Sequence, residues 1–452
     1  MGASGRKAAR AFSLGEMASL TWPFCALIVL IFLLGGGGSR YGILNGILQV
    51  SALGFGLFYF DRMVAGWRSL PLVLRGLIAA TLAVPLIQLV PLPPAVWQAL
   101  PSADLALPAR ALVGAEAGWY PWSLDPARTA LAAFALIPPL VLLLYARSLG
   151  AVAYPIMALV VALAFVSMLV ALIQIAGGSN PLPYPILEPG RLYGVFASHN
   201  SSGLMFVLAQ CCLIPFWSSS PAGVLTKPLL VSLAAVLVLA VVLTQSRSSI
   251  ALLLVPFSAF GLRLLLARKS EGRAMRWPVV VLGLALVGGI LAAVASSDRV
   301  GATISRFENL EDQRPNIWED SKLAIEDLWP MGSGMGSFDE VFQTYESLET
   351  LLPGFARRAH NDYLELGVEA GILGWLLLLA WTVYLVLQYW KRRSGPDAPI
   401  VLAASMGLLI FALQSLVDYP LRNEIHLSLA ALLIAVLAPT YSRTGDRDFY
   451  EA

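Results

Sequence analysis

Three short segments of the chain set an arginine or a histidine among small hydroxyl and amide residues, directly beside apolar runs. The first runs from Arg191 through Leu-Tyr-Gly-Val-Phe-Ala-Ser to His199, Asn200, Ser201, Ser202 and Gly203. Asn200 or Ser201 is suited to cap a helix starting there, with its first N–H groups facing outward. Such a helix start beside Arg191 suits a phosphate; the plainer alternative is a capped loop whose arginine meets a lipid headgroup. The second segment is Thr244-Gln-Ser-Arg-Ser-Ser249, where Arg247 is the one charge in a tight turn. A guanidinium matches phosphate oxygens two at a time, although an arginine that merely snorkels to the surface is common. The third is Arg357-Arg-Ala-His-Asn-Asp-Tyr-Leu-Glu365. Asp362 and Glu365 have capping-box spacing, with Asp362 as the cap. His360 then lies just before a helix whose positive end discourages protonation. A neutral imidazole is what a general base requires, and a histidine beside a cap is also a common structural residue. A fourth group, Asp418, Arg422, Glu424 and His426, reads as a solvated loop and helix start with a supporting role at most.

The elements that must position these residues are membrane helices. Of 452 residues, 58% are hydrophobic and only 13% charged, against about 25% charged in a soluble domain. The expected architecture is all-α and polytopic: one integral membrane domain over 1–452, with about twelve transmembrane helices. Spans are expected near 18–34, 41–60, 74–90, 128–147, 151–176, 201–217, 225–244, 248–267, 277–295, 362–388, 400–417 and 425–440, each about the length a bilayer demands. The stretch at 201–217 is short enough to be broken or re-entrant. Arg6, Lys7 and Arg10 before the first run lack a following cleavage pattern, so a first span is favoured over a signal peptide. Lysine and arginine near span ends place both termini in the cytoplasm, and all three chemical segments outside. A long outer loop over 296–361 separates the ninth and tenth spans, with an amphipathic helix expected at Ile317–Leu328. The outer segment 91–127, rich in Pro and Trp, reads as an interfacial belt. A net charge of +2 gives no field for nucleic acid. Cys25, Cys211 and Cys212 show no metal or disulfide spacing, and no Asp-x-Asp motif stands at the three segments.

At these residues the sequence resembles the O-antigen ligase and polymerase superfamily, over roughly 190–375. The resemblance is carried by Arg191-Leu-Tyr-Gly with Phe196, by His199-Asn200 and by Ser246-Arg247-Ser248. It continues with Trp318, Pro330-Met-Gly-Ser-Gly-Met-Gly336 and Phe338, and ends with His360-Asn-Asp-Tyr-Leu-Glu-Leu, Glu369, Gly371 and Gly374. It implies a metal-independent, inverting glycosyltransferase without cofactor in the bacterial inner membrane, its active site facing the periplasm. The donor would be a glycan on undecaprenyl pyrophosphate, within the membrane lipids. The acceptor would be lipid A-core, another lipid-linked glycan or a protein, as in lipopolysaccharide and exopolysaccharide assembly. Carried onto this chain, His360 would be the base, and Arg191 and Arg247 would hold the pyrophosphate. His199, Asn200, Arg314 and Asn361 complete the expected substrate-binding set. Where many relatives have Pro before the Asn, this chain has His199. Arg314 fills the place of an Arg that usually precedes the Trp-containing helix.

Two other classes fit a polytopic chain: a transporter or flippase of lipid-linked sugar, and a non-catalytic scaffold for polysaccharide assembly. Transporters tend to carry internal repeats and midplane charges. Here no repeat stands out and the polar residues gather at the expected outer end, which favours an enzyme.

Overall fold

The computed structural model describes residues 20–38, 40–150, 152–177, 182–186, 188, 190–218, 226–270, 314–348 and 357–439. It is mostly helical, with almost no sheet. An apolar helix stands at every expected span position within the described residues, and 277–295 lies outside them. Four helices are long and apolar enough to cross a membrane: Pro126–Ser148, Ala153–Gly177, His199–Trp217 and Asp362–Arg392. Gly42–Phe58 and Phe60–Arg68, bent by 83°, make a fifth if the pair is one span. The remaining apolar helices have 10–17 residues. At 1.5 Å per residue these fall short of a hydrocarbon core of about 30 Å. Length and composition therefore support four or five spans, a coarser result than the twelve expected from hydropathy.

The chain divides into two compact units. One has its described part between 157 and 270. Its centre is His199–Ser218, which packs along Lys227–Leu243. Residues 202–216 of that helix are all buried. The expected short or broken span is thus one continuous helix, enclosed by protein. At Gly203 a side chain would overlap Ser249 Oγ, so the glycine lets the helix meet the 244–249 turn. In that turn Gln245 takes a left-handed backbone, φ 56°, and Ser246 caps the helix Arg247–Leu252.

The other unit comprises 20–156 and 314–439 of the described residues. Its helices Ile137–Ser148 and Glu424–Leu437 pack together. Arginines close the C-terminal end of the second: Arg147 donates to the carbonyls of Ala435, Ala438 and Pro439 at 3.2, 3.1 and 2.9 Å, and Arg392 to that of Leu437 at 2.6 Å. These orphan carbonyls have no partner within the helix, and cations there complement its dipole. The segment 91–127 is a folded module rather than a row of interfacial rings. Pro91–Leu92 pairs with Tyr120–Pro121, and Arg110 lies 4.2 Å from the Trp97 ring and 3.7 Å from that of Tyr120. Trp97 and Trp122 are buried because their N–H groups reach the carbonyls of Gly118 and Gly332, while Trp119 stays exposed.

The expected amphipathic helix is found at Arg314–Leu328. Its apolar face of Ala324, Ile325 and Leu328 packs with Phe338, Val341, Phe342, Ala359 and Val368. Beyond it the 330–336 turn wedges against the helix Asp362–Arg392, which breaks at Gly371 (φ 54°, ψ −138°). There the Ile372 N–H turns to the Pro330 carbonyl at 3.0 Å. A Cβ on Gly371 would overlap that carbonyl, so the break needs glycine.

Candidate functional site

His360 sits on a left-handed backbone, φ 50°, and its neighbours fix it there. The Ala359 N–H donates to Glu365 Oε1 at 3.0 Å, and the Ala359 carbonyl accepts Trp318 Nε1 at 2.8 Å. On the other side Asn361, not Asp362, caps the helix: its Oδ1 accepts the N–H groups of Tyr363 and Leu364 at 3.0 and 3.1 Å. Its Nδ2 donates to the Leu416 carbonyl at 3.1 Å. Asp362 is already helical and accepts the Ser415 hydroxyl at 2.8 Å. The capping-box expectation was one residue out, because the extended backbone that a cap needs falls on Asn361 (φ −159°, ψ 104°).

The imidazole has a carboxylate partner. His360 Nδ1 lies 3.4 Å from Asp418 Oδ1, and the ring leans on Tyr419 with centroids 5.0 Å apart. Asp418 is held in turn by the Tyr419 N–H at 3.0 Å and the Gln414 amide at 3.3 Å. Burial pushes the Asp418 carboxyl up. The contact and charge of His360 and the charge of Arg314 outweigh burial and hold it below the usual carboxylate range. Asp418 stands beside Nδ1 at ion-pair rather than hydrogen-bond distance; a carboxylate on that side of the ring is the arrangement by which an aspartate orients a general-base histidine. His360 keeps its side chain 35% exposed, so Nε2 is available to a hydroxyl. Arg314 reaches this group through its charge on Asp418 and Tyr419.

Behind the pair lies a buried ion network. Glu365 and Glu369 are fully buried. Arg358 bonds Glu365 at 2.9 Å, and Arg422 bonds Glu369 at 2.6 Å while standing 3.6 Å from Glu365 and 3.7 Å from Asp362. Burial disfavours the Arg422 charge, yet its three carboxylate neighbours outweigh burial and keep it charged well beyond its usual range. The expected solvated loop at 418–426 is therefore packed: Asp418, Glu424 and His426 are buried. Glu424 accepts the Gln49 amide at 2.8 Å, and His426 packs edge-on against Phe411. Nothing local in the sequence announced Asp418 as the partner of His360, since the two are far apart in the chain.

The unit that spans 157–270 holds the second cluster. Gln174 clamps Gly194, donating to its carbonyl at 2.8 Å and accepting its N–H at 3.0 Å. That ties the 191–199 segment to the helix Ala153–Gly177. Arg191 is almost buried and contacts Glu188 through both oxygens, at 2.9 and 2.6 Å. It also reaches Gln245 Oε1 at 3.3 Å and His199 Nε2 at 2.7 Å. A guanidinium offers only donors, so His199 Nε2 must present a lone pair. Gln245 links this group to the turn carrying Arg247, which is exposed as the first residue of its helix. The helix at 199 begins with His199 itself. Asn200 and Ser201, expected as caps, therefore lie inside it, and the Asn200 carbonyl accepts Ser249 Oγ at 3.4 Å.

The expected site residues thus fall into two groups: Arg191 and His199 with the Gln245–Arg247 turn, and His360 with Arg314 and Asn361. Glu188, Gln245 and Asp418 join them as residues that spacing did not reveal. No curated protein matches the chain. Residues 230–379 match the family model described as O-antigen ligase, a stretch holding Arg247, Arg314, His360 and Asn361 and starting after Arg191 and His199. That match supports the chain's membership of the O-antigen ligase superfamily.

Proposed function

We propose that the protein is a metal-independent, inverting glycosyltransferase that moves a glycan from undecaprenyl pyrophosphate to an acceptor hydroxyl at the periplasmic face of the inner membrane. The family match supports a ligase- or polymerase-type enzyme, and the observation that carries the finer reading is the Asp418–His360 pair. Nε2 of His360 takes the proton of the acceptor hydroxyl while Asp418 steadies the imidazolium that forms. The acceptor oxygen bonds to the sugar C1 as the C1–O bond to pyrophosphate breaks, and one displacement inverts C1. The bond is already activated, so the chain's own groups suffice. Arg191 and Arg247 take the growing negative charge of the leaving group, the kind of stabilisation that is strongest where water is sparse. Arg314, Asn200, His199 and Asn361 belong to the substrate-binding set in this reading, the last two as groups that orient Arg191 and His360.

The outward orientation has support within the unit that holds His360. Arg147 and Arg392 gather at the C-terminal ends of Glu424–Leu437 and Asp362–Arg392, whereas His360 and Asp418 precede those helices. A cytoplasmic arginine end leaves His360 on the opposite side. The test is complementation of a deletion strain, read on gels of lipopolysaccharide and exopolysaccharide. Wild type restores the product; His360→Ala and Arg247→Ala insert normally but do not. Loss of the whole ladder identifies a ligase, and a single-repeat band a polymerase. Full product from both variants overturns the assignment.

A further inference from the structure

We propose that Glu188 is a stand-in for the donor's phosphate: its carboxylate occupies the guanidinium face of Arg191 until an anionic ligand displaces it. The inference rests on the donor-binding role of Arg191 given above and adds the residue that competes for that role. Glu188 meets Arg191 in a forked arrangement, Oε1 on Nη1 at 2.9 Å and Oε2 on Nη2 at 2.6 Å. A phosphate uses the same two-point geometry. The partners of Arg191 differ in a telling way. Gln245 and His199 contact the guanidinium without bringing a negative charge to it. Among the described residues only Glu188 neutralises it, and Glu188 is the more exposed member of the pair, with 43% of its side chain exposed against 7% for Arg191. Displacement of the Glu188 carboxylate from Arg191 would free a held cation for an incoming pyrophosphate. With no donor present, the same contact spares Arg191 an uncompensated buried charge.

Two readings of Glu188 make opposite predictions. A stand-in lowers the affinity for anions, so its removal raises it. A brace that orients Arg191 raises the affinity, so its removal lowers it. The measurement is isothermal titration of the purified full-length protein in detergent with farnesyl pyrophosphate as probe. Wild type, Glu188→Gln, Glu188→Ala and Arg191→Ala are compared, each checked to be folded and monodisperse at the titration temperature. Glu188→Ala should bind roughly two- to fivefold more tightly than wild type, the range expected on removing a partly exposed competing ion pair. Glu188→Gln should fall between the two, and Arg191→Ala should lose binding. Equal or weaker binding by Glu188→Ala, with binding still lost in Arg191→Ala, overturns the stand-in and leaves donor binding intact. Undiminished binding by Arg191→Ala removes the reading on which the inference rests.

Discussion

Among single residues, the proposed transfer depends most on how His360 is aimed. A non-glycine residue at φ 50° is uncommon and costs about 1–3 kcal/mol. Glu365, Trp318 and the Asn361 cap over-determine the backbone on both sides of His360, and Asp418 sets the ring. Replacing Asp418 by Asn keeps the shape but presents an amide to Nδ1. Asp418→Asn should therefore slow transfer by about 10²–10⁴, the usual size of a base contribution, with little change in acceptor KM; an unchanged rate contradicts the pairing. The same pair has a pH signature. The native Asp418 carboxyl lies below its usual range, so on acidification the unfolded chain takes up this proton first. The stabilisation is complete above about pH 4 and is lost as pH falls through the lowered native value. The difference in melting temperature between wild type and Asp418→Asn should shrink below that pH. His360 was legible because histidine next to a helix start has a local pattern. Asp418 and Glu188 were not, since an ion-pair partner brought in by folding leaves no spacing to read.

At the scale of the element, Arg422 joins the 420–422 turn to the first turns of Asp362–Arg392 through Asp362, Glu365 and Glu369. Removing one side of a buried ion network strands the other, at about 3–5 kcal/mol. Arg422→Ala should thus lower the melting temperature and folded yield sharply, while Arg422→Lys retains part of both. A wild-type melting curve for Arg422→Ala would show the network to be incidental. The helices were readable because long apolar runs leave few alternatives, and the helix Arg314–Leu328 because its apolar residues recur at helical spacing. The burial of Trp97, Trp122, Glu424 and His426 was not readable. Aromatic and charged residues near span ends look alike in sequence whether they face lipid, water or a carbonyl on another segment.

At the scale of the whole molecule, the proposal needs the His360 end of its unit to face away from the cytoplasm. Trp119 and Ser394 are both exposed and belong to the segments expected outside and inside. In a cysteine-free background, Trp119→Cys should react with a membrane-impermeant maleimide on intact spheroplasts. Ser394→Cys should react only after permeabilisation; the reverse pattern would invert the topology. Span number was the least legible feature, because hydropathy marks a run as apolar without saying whether the helix it forms is long enough to cross the bilayer.

The most direct test of glycosyl transfer uses the purified protein in proteoliposomes with a radiolabelled glycan on undecaprenyl pyrophosphate and an acceptor glycolipid. Label should pass to the acceptor with release of undecaprenyl pyrophosphate, in the presence of a chelator, and His360→Ala should transfer at least about 10²-fold more slowly. Equal transfer by His360→Ala, or label carried across the bilayer with its pyrophosphate bond intact, would contradict the account.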